Sequence, residues 1–525
     1  MTIFKTTFNM KGLSKRFSDE SLTKKASLNA LASLLDYGAR VLVGFLVQPI
    51  LVAGLGSYLY GIWQIVGRLI GYISAASGRP TQALKWTVAN RQASTDYAEK
   101  RRQVGSAVVV WFLFLPLMAA VGGVLAWFAP VLLSVPAEYI WSVRAAAGVL
   151  VADLILLTLA DMPQSVLGGE NLGYKRMGLS TALVFAGGGL TAAAVYLHTG
   201  IVGVAVAHLA ATLMTGILFL RIVRSYVPWF GLARPSRAEV RRFFGLSGWF
   251  QVWRLVMQLM MSSDVIVLGL LVSVETVTTY ALTKYAPEML ISLVAIVAFG
   301  IAPGLGSVIG AGNLEKAARV RGEIMMGTWL ISTVVGTTIL LWIRSLMGLW
   351  VGAEYYAGPL PTLLIMLMMT QLVLIRNDSN VIDLTLNLRR KVLSGLLSAA
   401  ASLIAASVFV GPLGLGIGGL CLGFMAGRSI LSLGYPWLVG RALGMSPGAQ
   451  LRSIPRPAFV MISLFSVATL AGNSLAVGSW IGLAILSGMT LIVVSALAFY
   501  AGLAGDQRKR VLKRVRHVIQ PAAKD

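Results

Sequence analysis

The chain has 525 residues, of which 57% are hydrophobic and only 12% charged, and its mean hydropathy is +0.79. This balance excludes an ordinary soluble protein and is typical of a polytopic membrane protein. The formal net charge of +24 would suit nucleic acid, but lysine and arginine beside apolar spans also follow from the positive-inside rule, so we expect no nucleic-acid partner. Cys421 is the only cysteine, which excludes an intrachain disulfide and a cysteine metal cluster.

Apolar stretches long enough to cross a bilayer recur along the whole chain. They predict an all-α membrane protein of about fourteen transmembrane helices, at residues 28–53, 58–78, 104–133, 142–167, 177–197, 200–224, 244–272, 277–309, 323–348, 356–386, 391–411, 414–440, 456–473 and 478–503. Basic residues cluster in every second connection and in the tail, at residues 91–102, 175–176, 234–242, 316–321, 389–391, 441–456 and 508–516. This alternation predicts that both termini lie in the cytoplasm.

Two basic segments have apolar residues among their charges. Residues 1–27 contain no apolar signal-peptide core, so we expect them to be retained as a cytoplasmic segment. The connection 79–103 combines lysine and arginine with leucine and Trp86. For both segments two interpretations fit equally well: an amphipathic helix held on the inner leaflet by anionic lipid, or a solvated basic loop.

A weak internal repeat suggests two lobes. A shift of 214 residues superposes Arg40 on Arg254, and residues 175–176 on 389–390. Because each repeat holds six helices, an even number, both repeats should have the same orientation across the membrane. We therefore expect a basic segment, an N-lobe, a basic linker, a C-lobe, two further helices and a basic tail, at residues 1–27, 28–224, 225–243, 244–440, 456–503 and 504–525.

Charged residues inside the predicted spans point to function, because a cation at mid-bilayer costs about 2.5–3.5 kcal/mol unless it faces protein, water or an anion. The cations in the spans are Arg40, Arg68, Arg254, Lys284, Arg376 and Arg428. The acids in the spans are Asp36, Asp153, Asp161, Asp264, Glu288, Asp378 and Asp383.

Spacing along the helices predicts which of these charges can pair. Asp36 lies four residues before Arg40, and Lys284 four residues before Glu288, so each pair can meet on one helix face. Such a pair either serves transport or is an internal salt bridge, and spacing leaves both open.

Two cations have no evident partner on their own helix, namely Arg68 and Arg254. The seventh predicted helix places Arg254 on a polar stripe with Gln251, Gln258 and Ser262, while Asp264 points roughly the other way. An anionic group of a substrate would supply the missing partner.

The tenth predicted helix carries carboxylates on two faces, Asp378 on one and Asp383 on the other. Carboxylates at membrane depth commonly bind coupling ions, so Asp264, Asp378 and Asp383 are candidates for coupling to H⁺ or Na⁺. A hydrogen-bonded packing seam explains the tenth helix equally well.

The sequence contains no P-loop, zinc signature or nucleophile elbow, and its cytoplasmic connections are too short for an ATPase or glycosyltransferase domain. We expect no enzyme activity, no catalytic residue, no metal site and no cofactor. The glycine run at 414, 416 and 418 opens an apolar span, and we interpret it as close helix packing rather than as part of a nucleotide-binding loop.

Three short motifs occur in order along the chain. Residues 55–63 have the pattern Leu-Gly…Tyr-Gly…Trp, residues 200–205 contain Gly-x-x-Gly-x-Ala, and residues 312–316 read Gly-Asn-Leu-Glu-Lys. Over roughly residues 25–440 the chain resembles the Wzx-like polysaccharide flippases of the multidrug/oligosaccharidyl-lipid/polysaccharide (MOP) exporter superfamily.

The resemblance implies two six-helix lobes in a V shape that open alternately to each side. It implies transport of an undecaprenyl-pyrophosphate-linked oligosaccharide to the outer leaflet of a bacterial inner membrane, for exopolysaccharide, O-antigen or capsule synthesis. The family's use of cavity cations for pyrophosphate implies a substrate site that comprises Arg40, Arg68, Arg254 and Lys284, together with Asp36, Gln251 and Gln258. The expected partners are this lipid-linked oligosaccharide, membrane lipids, and a polysaccharide polymerase and export proteins.

Three other functions are alternatives to this one. Many Wzx-like members have twelve helices, whereas lipid II flippases of the same superfamily have fourteen, so a lipid II flippase is one alternative. A multidrug cation antiporter of the MATE type, with an acidic and aromatic cavity, is another. A third is a non-transporting scaffold or a polymerase component of a glycan-export complex.

Overall fold

The structure is a computed structural model that describes residues 22–74, 80–91, 94–170, 172–245, 248–384, 388–452, 454–505 and 507–509. In these residues the regular structure is entirely helical, which confirms the predicted all-α class. The α-helices are α1 (Leu22–Ile73), α2 (Pro80–Asn90), α3 (Tyr97–Leu132), α4 (Ile140–Ala160), α5 (Met162–Gly169), α6 (Met177–Tyr196), α7 (Gly200–Tyr226), α8 (Arg237–Gly245), α9 (Gly248–Leu271), α10 (Val274–Gly310), α11 (Leu314–Trp350), α12 (Pro359–Leu384), α13 (Leu388–Val410), α14 (Gly416–Leu443), α15 (Pro447–Arg452), α16 (Pro455–Ser474) and α17 (Trp480–Leu497).

Twelve helical stretches of the described residues are long and apolar enough to cross a membrane, against about fourteen predicted from the sequence. One difference lies in α1, which contains both the first and the second predicted spans. The backbone leaves helical geometry at Gly56, with φ 72° and ψ 168°, so the two spans meet there without a longer loop. The other difference is α10, which coincides with the eighth predicted span and lies outside the twelve.

The fourth predicted span is also divided. Asp161 ends α4, and Pro163 lies in the first turn of α5. Proline is tolerated there because the backbone N–H that it lacks would have no acceptor within the helix. This acid, predicted inside a span, therefore lies at a helix junction.

The contacts divide the chain into two compact units. The first unit contains the residues before Tyr60 together with Leu69–Val252, and the second contains Tyr60–Arg68 together with the residues from Trp253 onward. The short stretch Tyr60–Arg68 of α1 therefore packs with the second unit.

In the first unit, α2 completes an apolar core. Leu84 and Val88 lie one turn apart on α2 and are fully buried against α3, α5 and α7, where Trp111 and Val166 contact the same core. Residues 80–90 are thus helical, as one interpretation of the connection 79–103 predicts, but the apolar face packs on protein rather than on lipid. Residues 1–21 lie outside the described part of the chain.

The basic start of α3 belongs to this core and is not a solvated loop. The helix begins at Tyr97, where the Asp96 carboxylate accepts a hydrogen bond from the Glu99 amide at 2.8 Å. The Lys100 ammonium is buried and lies 3.0 Å from the Glu170 carboxylate, which also accepts a hydrogen bond from the Trp229 indole at 3.0 Å.

In the second unit, glycines bring α13 and α14 together. A side chain at Gly423 or Gly427 would collide with the α13 backbone at Ala406 or Ser402, so these positions allow close approach. The prediction had placed this close packing at 414–418. Gly414 and Gly416 instead have positive φ, at 62° and 52°, and form the turn between the two helices.

A buried ion pair joins α11 to α12. Arg321 donates two hydrogen bonds to the Asp378 carboxylate, at 2.9 and 2.8 Å, and both side chains are buried. The sequence had placed Arg321 in a connection, because the ninth span was predicted to begin at 323. The helix begins nine residues earlier, at Leu314, where Asn313 accepts a hydrogen bond from the Lys316 amide.

We expect the substitution Asp378→Ala to lower the free energy of unfolding by about 3–5 kcal/mol, because it leaves the Arg321 charge buried without its carboxylate. Removing both charges, in Arg321→Met with Asp378→Leu, should restore much of that loss. Thermal unfolding in detergent measures both effects. The matched control is Arg319→Ala on the same helix, where the exposed pair with Glu315 contributes below about 1 kcal/mol. Equal losses in Asp378→Ala and Arg319→Ala would contradict this account.

Candidate functional site

A buried polar cluster lies between α9 and α10 of the second unit. Asp264 on α9 faces Tyr280 and Lys284, which lie one turn apart on α10. The Lys284 ammonium is 2.5 Å from the Asp264 carboxylate, and the Tyr280 hydroxyl donates to the same oxygen at 2.6 Å. The other carboxylate oxygen accepts a hydrogen bond from the Val265 amide at 2.9 Å. All donors in this cluster thus converge on one carboxylate.

The cluster is sealed from solvent. The exposed fractions of the Lys284 and Asp264 side chains are 3% and 2%, and Tyr280 is fully buried. Each of these two buried charges is stabilised by the other, because either one alone would carry a large desolvation cost. Protonation of Asp264 would therefore leave Lys284 as an uncompensated buried charge.

A second ion pair in this unit is more open. The Arg68 guanidinium lies 3.9 Å from the Glu288 carboxylate, and about a third of each side chain is exposed, 32% and 33%. Arg68 also acts electrostatically on Asp264. This pair joins α10 to Tyr60–Arg68 of α1.

One prediction from spacing is corrected here, and a second cation gains an interhelical partner. The prediction that Lys284 pairs with Glu288 is wrong, because each finds its counter-charge on another helix. Arg68, which had no evident partner on its own helix, has Glu288. Spacing shows only which side chains of one helix can meet, whereas Lys284 and Glu288 both have partners on other helices.

The structure describes some, but not all, of the side chains in the polar stripe of α9. The Gln258 amide donates a hydrogen bond to the Ser262 hydroxyl at 3.0 Å, one turn further along. Arg254 is half-buried on the same helix, and the side chain of Gln251 lies outside the described residues.

Asp36 and Arg40 belong to the first unit and lie in different surroundings. Asp36 is buried and accepts hydrogen bonds from Ser180 and Thr181 of α6, at 2.9 and 3.4 Å. Arg40 is exposed. The structure therefore gives Asp36 hydroxyl donors from a neighbouring helix, and the pair of Asp36 with Arg40 stays a prediction from spacing.

The remaining acids proposed for ion coupling are held by basic residues. Asp378 has the two hydrogen bonds from Arg321, and Asp383 lies 2.5 Å from the Lys391 ammonium. Lys391 is fully buried and lies 3.9 Å from the centre of the Trp253 ring.

Sequence reasoning missed Arg321 and Lys391 as interior cations because both were assigned to connections. For Arg321 a signal was present. Ala317, Arg321 and Ile324 share one helix face, and the capping residue Asn313 precedes them.

The other two cations predicted inside the spans are Arg428 and Arg376. Arg428 is buried on α14 and donates a hydrogen bond to the Met260 carbonyl of α9, with its guanidinium 5.0 Å from the Phe424 ring. Arg376 is half-buried on α12.

Comparisons with solved structures show the fold. A lipid II flippase, MurJ, in an inward closed conformation has a TM-score of 0.64 at 12% identity, over 90% of this chain and 99% of that one. An inward-facing multidrug-resistance MATE family transporter of the MOP superfamily has a TM-score of 0.59 at 16% identity, over 78% and 96% of the two chains. A MOP superfamily transporter from Pyrococcus furiosus Vc1 (DSM3638) has a TM-score of 0.56 at 16% identity, over 81% and 97%.

Comparison with protein families shows the relationship by sequence. No curated protein matches the chain. The family model described as "Polysaccharide biosynthesis protein" matches residues 22–303, which is more than half of the chain. The protein is thus a multi-pass membrane protein that belongs to the polysaccharide biosynthesis protein family, and its fold is that of these MOP superfamily transporters.

Proposed function

We propose that the protein is a flippase for an undecaprenyl-pyrophosphate-linked oligosaccharide. It moves this lipid from the cytoplasmic to the outer leaflet of a bacterial inner membrane by alternating access of its two lobes, with both termini in the cytoplasm. Membership of the polysaccharide biosynthesis family supports the substrate class, and the alternation of basic connections supports the orientation.

The observation that carries the proposal is the open pair between Arg68 and Glu288. At 3.9 Å and with a third of each side chain exposed, the carboxylate holds the arginine weakly. Exposed pairs of this kind contribute only about 0–1 kcal/mol. A pyrophosphate brings more charge and accepts bidentate hydrogen bonds from a guanidinium, so it can replace the carboxylate.

Other donors extend this site in the proposal. Arg254, Gln258 and Gln251 follow one face of α9 and would bind phosphate and sugar oxygens. Arg40, exposed in the first unit, would provide a further cation, with Asp36 holding its helix against α6.

Lys284 and Asp264 are better suited to coupling than to direct substrate contact. Their pair is short and buried, so a lipid phosphate would have to displace a carboxylate that receives three donors. Proton binding to Asp264 would remove the counter-charge of the buried Lys284 and so change the balance of the whole cluster. Asp378 and Asp383 also have basic partners, but Asp264 is preferred here because it interacts electrostatically with Arg68 of the open pair.

Two other substrates fit the same fold. Lipid II has the same undecaprenyl-pyrophosphate carrier, so a site that binds the carrier alone would accept it. A cation antiporter would need acidic groups without a basic partner, yet Asp264, Glu288, Asp378 and Asp383 each form an ion pair with a basic side chain. This pairing favours an anionic substrate over an organic cation.

Opposite substitutions at the open pair test the substrate site. We expect Arg68→Gln to weaken binding of an undecaprenyl-pyrophosphate disaccharide about tenfold to a hundredfold, since it removes charge-assisted hydrogen bonds. Glu288→Gln should tighten binding by up to about fivefold, because it removes the competing carboxylate. Binding to purified protein in detergent measures both.

Arg319→Gln serves as the exposed control and should leave binding unchanged. Unchanged affinity in both Arg68→Gln and Glu288→Gln would overturn the site. Preferential binding of lipid II over the disaccharide lipid would select the lipid II flippase, and displacement by ethidium would select the cation antiporter.

The coupling role predicts a loss of gradient dependence. In proteoliposomes, the double substitution Asp264→Asn with Lys284→Met removes both buried charges together and should therefore keep the fold. It should still bind the lipid but flip it at a rate that no longer depends on the pH or sodium gradient. The control is Arg321→Met with Asp378→Leu, which should keep gradient dependence. Retained gradient dependence in the first variant would exclude Asp264 as the coupling group.

A further inference from the structure

An open groove lies on the first unit where α8 meets α3. It has a volume of about 550 Å³, and its apolar part is formed by Val109 and Leu113 of α3 and by Phe244 of α8. Leu113 and Phe244 are 61% and 49% exposed. Because α3 is one of the helices long and apolar enough to cross a membrane, the groove continues onto a surface suited to lipid.

The other part of the groove is basic. Arg234, Arg237 and Arg241 line it and are exposed, and within the described part of the chain none of them forms an ion pair or a hydrogen bond. Arginine is the side chain best suited to bind phosphate oxygens, since its planar guanidinium group donates two parallel hydrogen bonds. The groove therefore has three exposed guanidinium groups beside its apolar part.

The one acid of residues 234–244 is directed away from these arginines. The Glu239 carboxylate accepts a hydrogen bond from Arg102 of α3 at 2.9 Å and another from the Ser236 amide at 2.7 Å, while the Ser236 hydroxyl accepts from the Glu239 amide at 3.2 Å. This is a capping box that also ties α8 to α3. The Ser236 amide and the Arg102 guanidinium lower the pKa of Glu239, so the acid stays ionised and engaged.

Apolar contacts also hold α8 against α3. Phe243 is buried in the core of the unit, and the Phe244 ring stacks on Phe114 with centroids 5.7 Å apart and planes 12° apart. The helix is short and strongly amphipathic, with Arg237 and Arg241 exposed, which is the pattern of a helix lying at a membrane surface. The arginines are thus presented from a docked helix rather than from a loose linker.

We propose that this groove binds an anionic phospholipid, with the phosphate against Arg234, Arg237 and Arg241 and an acyl chain along Leu113 and Phe244. A soluble anion would use the arginines but not the apolar floor, and a zwitterionic lipid would fill the floor with no net charge to match the arginines. Only an anionic lipid matches both parts. The site lies within the first unit and does not depend on the transported substrate.

Native mass spectrometry of the full-length protein tests this site with phosphatidylglycerol and phosphatidylcholine of identical acyl chains. The wild-type protein should retain phosphatidylglycerol in preference to phosphatidylcholine. Arg237→Gln with Arg241→Gln should reduce that retention at least about tenfold, because two charges near the headgroup are lost. The matched control is Arg389→Gln with Arg390→Gln, at exposed positions of α13, which should retain the lipid as the wild type does.

A second variant tests the apolar part without changing the arginines. Leu113→Gln should also reduce retention of phosphatidylglycerol, and soluble glycerophosphoglycerol should fail to compete for the site. Thermal unfolding confirms that each variant is folded. Equal retention in the Arg237 and Arg241 double variant and in the control would overturn the proposal. So would equal retention of the two lipids by the wild type, or full competition by the chain-free headgroup.

Discussion

The Lys284–Asp264 pair expresses a constraint that recurs in the second unit, where several charges buried among apolar helices are stabilised by a counter-charge on another helix. At 2.5 Å and almost without exposure, neither partner could stay ionised there alone. Arg321 with Asp378 and Lys391 with Asp383 satisfy the same constraint at other helix contacts. The pairs therefore act as fixed points that determine which helices of this unit lie together.

The Arg68–Glu288 pair differs from the others in a way that matters for transport. It is more than 1 Å longer than the Lys284–Asp264 pair, at 3.9 against 2.5 Å, and far more exposed. A buried short pair keeps its partners, whereas an exposed long pair costs little to exchange. Within one unit, two ion pairs thus differ in role: a closed Lys–Asp pair is suited to respond to a proton, and an open Arg–Glu pair is suited to receive an anion.

The transmembrane segments were predictable from sequence because the length and polarity of an apolar run are local properties of the chain. The starts of helices were harder to predict. Helix α11 begins at Leu314 rather than at residue 323, because a capped polar turn precedes its apolar part. The pairing of charges was not predictable. Arg321 and Asp378 are 57 residues apart, and no spacing rule joins them. Intrahelical spacing suggested Glu288 for Lys284, but the competing partner Asp264 is visible only when α9 and α10 are packed.

The basic connections of the first unit show that positive-inside residues do more than orient a membrane protein. Lys100 is buried against Glu170, and Arg102 holds Glu239, so two of these cations fix α3 to the elements around it. These contacts engage the carboxylates of Glu170 and Glu239. Arg237 and Arg241 of α8 remain exposed without a counter-charge in the described part of the unit. The cations that bind the protein's own carboxylates are therefore what leaves the neighbouring ones available to phosphate from the membrane.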